Sequence, residues 1–495
     1  MLPYKTIIAL DKKSSVPLYL QICNEFIKKI SAGTIISSTK LPGSRTLSEL
    51  LEVNRRTVTS AYEELEAQGW LETKPNQGCF VSSKIPITTV QPLEGGIRHD
   101  PQAQSGFPLN NKLDFLEYYK SPKASELELV IDAGYPDVRL APMRNLSKNI
   151  SGIVNGKRSL KLLNYSDNFN GDPLLRAEVA KYLVETRSIN VTVENVMITR
   201  GSLMAFSNIF QVLLKPNENV IVGDVSFRVA NDIIRIAGGN LVKVPVDERG
   251  LNVDAIEKVC KKKKIRAIFI MPHHHNPTTV SLSAERRMKL LMLAEKYRFA
   301  IIEDDYDYDF HYNSSPILPM ASSDRCGSVI YVGSLSKTVA PGLRTGFVVA
   351  PANFINELSR LSRFIDCHGN MALERAIAML FKEGEIRRHM KKALKAYHLR
   401  RDLFCSLLKK ELGQYVKFQI PEGGLAVWVE FDRTIDPIQL RDTALKLGLL
   451  ISKSVFSDAE GNKLNAIRMG FASLNEKEIE ASIKLLKKAV NHLVK

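Results

Sequence analysis

Beyond Leu127 the chain is a succession of short apolar runs, and this pattern restricts its fold more than any other feature. The runs are V-M-I-T-R (196–200), N-V-I-V-G-D (219–224), L-V-K-V-P-V (241–246), I-R-A-I-F-I-M-P (265–272), F-A-I-I-E-D-D (299–305), S-V-I-Y-V-G-S (328–334) and R-T-G-F-V-V-A (344–350). Longer stretches of helical period separate them. Apolar strands alternating with helices predict an α/β body with a mostly parallel sheet, and in such sheets the site lies beyond the strand ends. The polar residues that follow each run are therefore the candidates for chemistry.

After the run at 328–334 comes a Ser-x-Ser-Lys turn, Ser334 to Lys337, with Arg344 seven residues on. A lysine there can form an imine with an aldehyde cofactor, while hydroxyls and an arginine hold a phosphate. Gly201-Ser202 opens an apolar helix, whose first N–H groups and dipole favour an anion. His273-His274-His275 is followed by Asn276-Pro277-Thr278-Thr279. Successive residues on extended backbone point to opposite faces, so three adjacent histidines do not converge on one metal ion, and no metal site is expected. Asn276 fits better as a donor to a cofactor oxygen. Glu303-Asp304-Asp305 could bind magnesium. Alternatively, with an imine lysine downstream, one aspartate would keep a pyridine nitrogen protonated, with Tyr306 beside it. Ser334 to Lys337 also satisfies S-x-x-K, and Ser166-Asp167-Asn168 is an S-D-N. Their order is the reverse of the serine β-lactamases, and Lys337-Thr338-Val339 is not K-T-G, so that reading is rejected.

The first 81 residues have another character. Ser15 reads as an N-cap, with Leu18, Ile22, Phe26 and Ile30 on one face and Gly33 at the end. Thr46 to Glu49 reads as a capping box starting a second helix. Asn54 caps a third after a turn at Glu52-Val53, and the short turn makes a helix-turn-helix. Arg55, Arg56, Thr57 and Thr59 lie on the exposed first turns of its second helix, the end that enters a DNA groove. Residues 69–81 read as a β-hairpin with a turn at Pro75 to Gly78. Residues 82–126, rich in Pro and Gly without periodicity, read as a linker.

The formal net charge is +16, but the first 90 residues carry only +3 of it, so bulk charge does not locate a nucleic-acid surface. Lys261 to Lys264 reads as a solvated helix end. Six cysteines without a C-x-x-C pair exclude a disulfide framework or zinc ribbon as the organising device. No apolar run spans a membrane and the N-terminus does not read as a signal peptide, so a cytoplasmic location is expected.

The segment L-P-G-S-R-T-L-S-E-L-L-E-V-N-R-R-T-V-T-S-A-Y-E-E-L-E-A-Q-G-W-L resembles the winged-helix head of GntR-type bacterial regulators. That resemblance implies DNA contacts by Arg45, Arg55, Arg56 and Thr57, with Gly78 letting the wing approach the backbone. From Asp132 onward, Tyr165 with Gly171 and Leu175-Arg176, Gly201-Ser202, His275 to Thr278, Asp304 with Tyr306, Ser334 to Lys337, and Arg344 resemble the fold-type-I aminotransferases, which use pyridoxal 5′-phosphate (PLP). It implies Lys337 as the Schiff-base lysine and Asp304 as the pyridinium partner. Asn276 and Tyr306 would approach the ring oxygen. Gly201, Ser202, Ser334, Ser336 and Arg344 would hold the phosphate, with Tyr165 reaching it from a second subunit. Arg468 would clamp an effector carboxylate. Phe227 stands where a tyrosine usually stacks on the ring, and Thr279 where glycine is common.

A head and body so joined resemble the MocR regulators. The division implied is a winged head (1–81), a linker (82–126), a large PLP domain (127–350) and a smaller C-terminal lobe (351–495). The resemblance further implies a head-to-tail homodimer that binds operator DNA and senses PLP, an amine or amino acid, or both, by aldimine exchange at Lys337. The alternative is an active PLP-dependent aminotransferase with a DNA-binding or tethering head.

Overall fold

The computed structural model describes residues 2–85, 129–156, 162–312, 317–452 and 463–494. The chain forms two compact units, divided between Asn110 and Asn111. All but the first few residues of the expected linker fall outside the described residues.

The first unit is built from α1 (Tyr4–Ile7), α2 (Leu18–Ser31), α3 (Ser44–Leu51), α4 (Arg55–Ala67) and the antiparallel pair β1 (Leu71–Lys74) and β2 (Gly78–Val81). The helix-turn-helix and wing are as the sequence predicts: Glu52 closes α3 in the left-handed region, and Asn54 Oδ1 accepts from Arg56 N–H to start α4. Two helix starts differ from expectation. The residue preceding α2 is Pro17, not Ser15, and it provides no side-chain cap. The chain enters α3 at Ser44 behind Gly43, so Thr46 lies inside the helix and no capping box forms. In both cases a proline or glycine next to the start sets the backbone, which makes a side-chain cap dispensable. The short helix α1 was not evident from periodicity, yet Tyr4 and Ile8 are buried in the head core with Phe26, whose ring meets Tyr4 and Tyr62 at 6.2 and 6.0 Å.

The second unit contains a seven-stranded sheet. Its strands are β4 (Val196–Thr199), β5 (Asn219–Gly223), β6 (Asn240–Val244), β9 (Ile265–Ile270), β10 (Ala300–Asp305), β11 (Val329–Ser334) and β12 (Gly346–Val349), in the order β4-β12-β11-β10-β9-β5-β6. Neighbours are parallel except that β12 runs antiparallel to both β11 and β4. The two faces have separate cores: Ile302 joins Phe206 and Phe269 on one, Ile301 joins Ile268 and Leu290 on the other. The strands β7 (Val246–Asp247) and β8 (Gly250–Leu251) form a small hairpin.

Two smaller sheets complete the unit. The strand β3 (Leu129–Ile131) pairs in parallel with β15 (Leu449–Ile451). The strands β13 (Val416–Phe418), β14 (Ala426–Phe431) and β16 (Ala466–Gly470) pack with the helices Glu385–Leu412 and Glu476–Val494.

This arrangement positions the site through strand direction. The parallel strands bring the residues after β4, β5, β9, β10 and β11 to one edge of the sheet. Because β12 is inverted, its first residues reach that same edge, with Gly346 opposite both Ser334 and Thr199.

Phe26 is fully buried, so Phe26→Ala should remove about 3 to 5 kcal/mol from the head. Differential scanning calorimetry should then show an early transition for the head, with the transition of the body unmoved.

Candidate functional site

Lys337 lies in a single helical turn, Leu335–Thr338, begun by Ser334, whose hydroxyl accepts from Ser336 N–H at 3.2 Å. Its Nζ donates to the Gly134 carbonyl at 2.9 Å and stands 4.2 Å from the centre of the Tyr135 ring. Burial pulls the amine down to about 8, opposed by the charges of Asp132, Asp307 and Asp304 and assisted by Arg468. At pH 7 about a tenth of such an amine is unprotonated and nucleophilic, against well under a thousandth for an ordinary lysine.

Alternation along β10 separates the three carboxylates that the sequence left ambiguous. Glu303 accepts from the backbone N–H groups of Met320 and Ala321 at 2.8 and 2.9 Å. Asp305 pairs with His273 Nδ1 at 3.0 Å and accepts from Tyr331 Oη at 2.8 Å. Burial would raise its carboxyl, but His273, Arg187 and Tyr331 hold it down at about 2. Asp304 faces the other way. It is buried, its Oδ1 has no hydrogen-bond partner, and burial with the charges of Asp305 and Asp307 pushes its carboxyl well above the carboxylate range. A cation or an N–H donor beside it would restore its ionised form.

Tyr306 Oη donates to the His274 carbonyl at 2.9 Å and accepts from Arg468 Nη2 at 3.0 Å. The three histidines are engaged one by one: His273 with Asp305, His274 Nδ1 with Asp307 at 2.9 Å, and His275 Nδ1 with Thr278 Oγ1 at 2.9 Å. Among the described residues no group of three or more His, Cys, Asp or Glu is placed to hold a metal ion. Asn276 is half-buried just beyond them, and Phe227 precedes the helix Arg228–Ile236 with its ring packed against the core. Thr279 has φ +63°, a left-handed conformation costly for a β-branched residue. It thus keeps a backbone shape that glycine adopts freely.

Gly201, with φ +78°, precedes the helix Ser202–Leu213, and a Cβ there would come within 2.8 Å of an Arg344 guanidinium nitrogen. The glycine therefore lets the guanidinium lie across the start of that helix. Ser336 Oγ is buried and has no partner. Tyr165 is 87 % exposed, with its ring edge-on to His368. Arg468 on β16 is buried. Its Nε donates to the Ala133 carbonyl at 2.9 Å and its Nη1 to the carbonyls of Pro277 and His275 at 3.1 and 3.4 Å. All of these acceptors are neutral.

The structure thus brings Gly201, Ser202, Phe227, Asn276, Asp304, Tyr306, Ser334, Ser336, Lys337 and Arg344 to one sheet edge, with Arg468 arriving from β16 and Tyr165 turned outward. Sequence reasoning missed Asp132 to Tyr135, whose carbonyls and ring meet Lys337 and Arg468. The available signal is D-A-G-Y-P-D directly after the apolar run L-V-I, a turn sequence following a strand. In the head, Arg45, Arg55 and Arg56 are exposed, Thr57 is half-buried, and Gly78 opens β2 with φ +108°.

Residues 155–486 match the aminotransferase class I and II family, two-thirds of the chain. The chain belongs to this family. Residues 18–81 match the gntR family of bacterial regulatory proteins, so the helix-turn-helix head is fused to an aminotransferase-type body. The HTH-type transcriptional regulator TauR of Rhodobacter capsulatus is 28 % identical over 473 residues, covering 93 % of this chain and 94 % of that protein. A Rhizobium meliloti regulatory protein named MocR is 24 % identical over 483 residues, covering 97 % and 95 %. The crystal structure of an archaeal alanine:glyoxylate aminotransferase superposes with a TM-score of 0.71 at 28 % identity, over 78 % of this chain and 98 % of that one. The family implies PLP as the cofactor. The residues present fit it: a buried aspartate lacking a donor, a buried serine hydroxyl lacking a partner, a glycine that admits an arginine to a helix start, and a lysine whose amine is made less basic by desolvation.

Because burial lowers Lys337 from 10.5 to about 8, its protonated form is disfavoured in the fold. The unfolded chain holds the extra proton between pH 8 and 10.5, so the cost of burying Lys337 is full below pH 8 and relieved as pH rises through that window. Trapping of PLP on Lys337 with borohydride, followed by peptide mapping, should show a rate that rises with pH to a midpoint near 8.

Proposed function

We propose that this protein is a PLP-dependent transcriptional regulator acting in the cytoplasm, in which the body binds the cofactor and an amine or amino-acid effector while the head binds operator DNA. What supports this reading is the coexistence in one chain of a gntR-type helix-turn-helix head and a body in which Lys337, the unpartnered Asp304 and Ser336, and Arg344 lie at one sheet edge. Bound there, PLP supplies an aldehyde that condenses with primary amines and a ring that acts as an electron sink.

The residues divide the work. Lys337 presents the amine, and its low basicity makes the exchange with an effector amine accessible near neutral pH. Asp304 would hold a proton on the ring nitrogen, which in turn would give its unpartnered oxygen a donor. Asn276 and Tyr306 would serve the ring oxygen, and Phe227 would offer the ring an apolar face without a hydroxyl. Gly201, Ser202, Ser334, Ser336 and Arg344 hold the phosphate, with Arg344 as the charged member. Arg468 receives an effector carboxylate. The exposed ring of Tyr165 supports a homodimer in which it completes the neighbouring subunit's phosphate site. In the head, Arg45, Arg55, Arg56 and Thr57 contact phosphates or base edges, and Gly78 allows the wing close to the backbone.

A second reading, a working aminotransferase with a DNA-binding head, is favoured by one observation. An amine near 8 is also suited to moving the substrate's α-proton. Turnover of amino and keto acids at roughly 1 s⁻¹ or faster, without a footprint on the DNA upstream of its own gene, would favour that reading.

Two substitutions test the main proposal. Arg344→Ala should weaken PLP binding about 10- to 100-fold by removing a charge-assisted contact, measured by titrating the absorption of the bound cofactor. Arg55→Ala should weaken DNA binding and reduce the slope of log K against log salt by about one, with PLP affinity unchanged. DNA affinity indifferent to PLP and to every amine tried would defeat the regulatory reading.

A further inference from the structure

No residue from Asp132 to Asp137 is assigned a contact with cofactor or effector in the scheme above, although the segment touches two cations of the site, Lys337 and Arg468. It continues from β3 and is fastened at each end. At its start, Asp132 Oδ1 accepts from the N–H groups of Gly134 and Tyr135 at 2.7 and 2.8 Å. Asp132 Oδ2 accepts from Ser473 Oγ, and the Asp132 carbonyl accepts from Gly470 N–H at 2.6 Å. At its end, Asp137 is held by Arg400 at 2.9 Å and Arg139 at 2.8 Å, and its N–H donates to Tyr397 Oη at 2.9 Å.

Between these clamps, consecutive carbonyls serve the two cations. Ala133 O takes Arg468 Nε and Gly134 O takes Lys337 Nζ, both at 2.9 Å. Consecutive carbonyls of an extended chain point to opposite sides. At Gly134, φ is +102°, and a Cβ there would lie 3.2 Å from Ala426 Cβ and 3.6 Å from Arg468. A residue without a side chain is what permits this turn at such close quarters.

We propose that this strap reports ligand binding: Gly134 O competes with the cofactor for Lys337, Ala133 O competes with an effector carboxylate for Arg468, and losing either hold loosens β3. The proposal rests on the PLP reading above. Joining Lys337 to the cofactor aldehyde forms a C=N bond and releases the aldehyde oxygen as water, with no oxidant or reductant. The nitrogen then keeps at most one hydrogen and no longer binds Gly134 O as an ammonium does. An ionised carboxylate displaces Ala133 O because a charged acceptor outcompetes a neutral one for a guanidinium. The loosened end is β3, a three-residue strand paired only with β15 among the described residues and extended by the Ser452 N–H bond to Ile131 O. In the chain, β3 is the first described strand after the head.

Hydrogen exchange followed by mass spectrometry on the full-length protein tests this. Peptides covering 129–137 should exchange slowly without PLP and about tenfold faster with it, the factor for losing one contact of roughly 1.4 kcal/mol. Lys337→Ala should exchange fast throughout. Methoxyamine takes the cofactor carbon from Lys337 and returns a free amine, so it should restore slow exchange. Aminooxyacetate does the same but brings a carboxylate to Arg468, so it should keep exchange fast and alter affinity for the upstream DNA, unlike methoxyamine. Ser473→Ala, which removes a hydrogen bond to Asp132 without altering its charge, should be fast without PLP while retaining the absorption of the bound cofactor, and the wild-type series decides the matter should that variant not fold. A Lys337-dependent absorption band with unchanged exchange at 129–137 overturns the strap and leaves the functional reading standing. Equal responses to the two hydroxylamines overturn the Arg468 half. Absence of the band in the wild type overturns the functional reading itself, and the strap with it.

Discussion

The ammonium of Lys337 is half-buried at a place where, among the described residues, no carboxylate pairs with it directly, and the site is organised around that fact. A backbone carbonyl and a tyrosine ring are its close contacts, and three aspartates act on it through their charge alone. This keeps the lysine protonated enough to be soluble in the fold and neutral enough to react. A direct ion pair would have raised the amine and silenced it. The same restraint explains Asp304, whose oxygen is left without a donor while its neighbour Asp305 is saturated by His273 and Tyr331.

Sheet geometry supplies the second constraint. Alternation along β10 sends Asp304 to one face and Glu303 and Asp305 to the other, so three adjacent carboxylates have separate duties and do not form a cation cage. Inversion of β12 carries Arg344 back to the edge where the parallel strands end. Glycines at 201 and 346 allow the contact: a Cβ at Gly346 would lie 3.0 Å from the Gly201 backbone. Arg468 binds the C-terminal sheet to the loop at His275 to Pro277 and to Tyr306, so it is a structural tie as well as the candidate receptor of a carboxylate.

Much of this was legible beforehand. The strands, the mostly parallel character of their sheet and the polar residues after them follow from apolar runs separated by helices, because a strand buried on both faces has no other composition available; the strand order and the inversion of β12 do not. The helix-turn-helix was readable from Asn54 and the short turn before it. The caps of α2 and α3 were misplaced because Ser15 and the Thr46 box are locally plausible, and local rules do not reveal where packing begins the helix. Asp132 and Gly134 were overlooked because their importance depends on partners more than two hundred residues away, Lys337 and Arg468.

By itself the sequence determined the chemical kinds present: an amine on a strand edge, hydroxyls and an arginine near it, and a basic helix in a separate head. Those choices are fixed by residue type and by spacing within single elements. Only the tertiary structure decided which carboxylate stays unsatisfied, how far burial lowers the amine, and that one glycine turn serves both Lys337 and Arg468. These depend on desolvation and on contacts between distant segments, which no local pattern encodes.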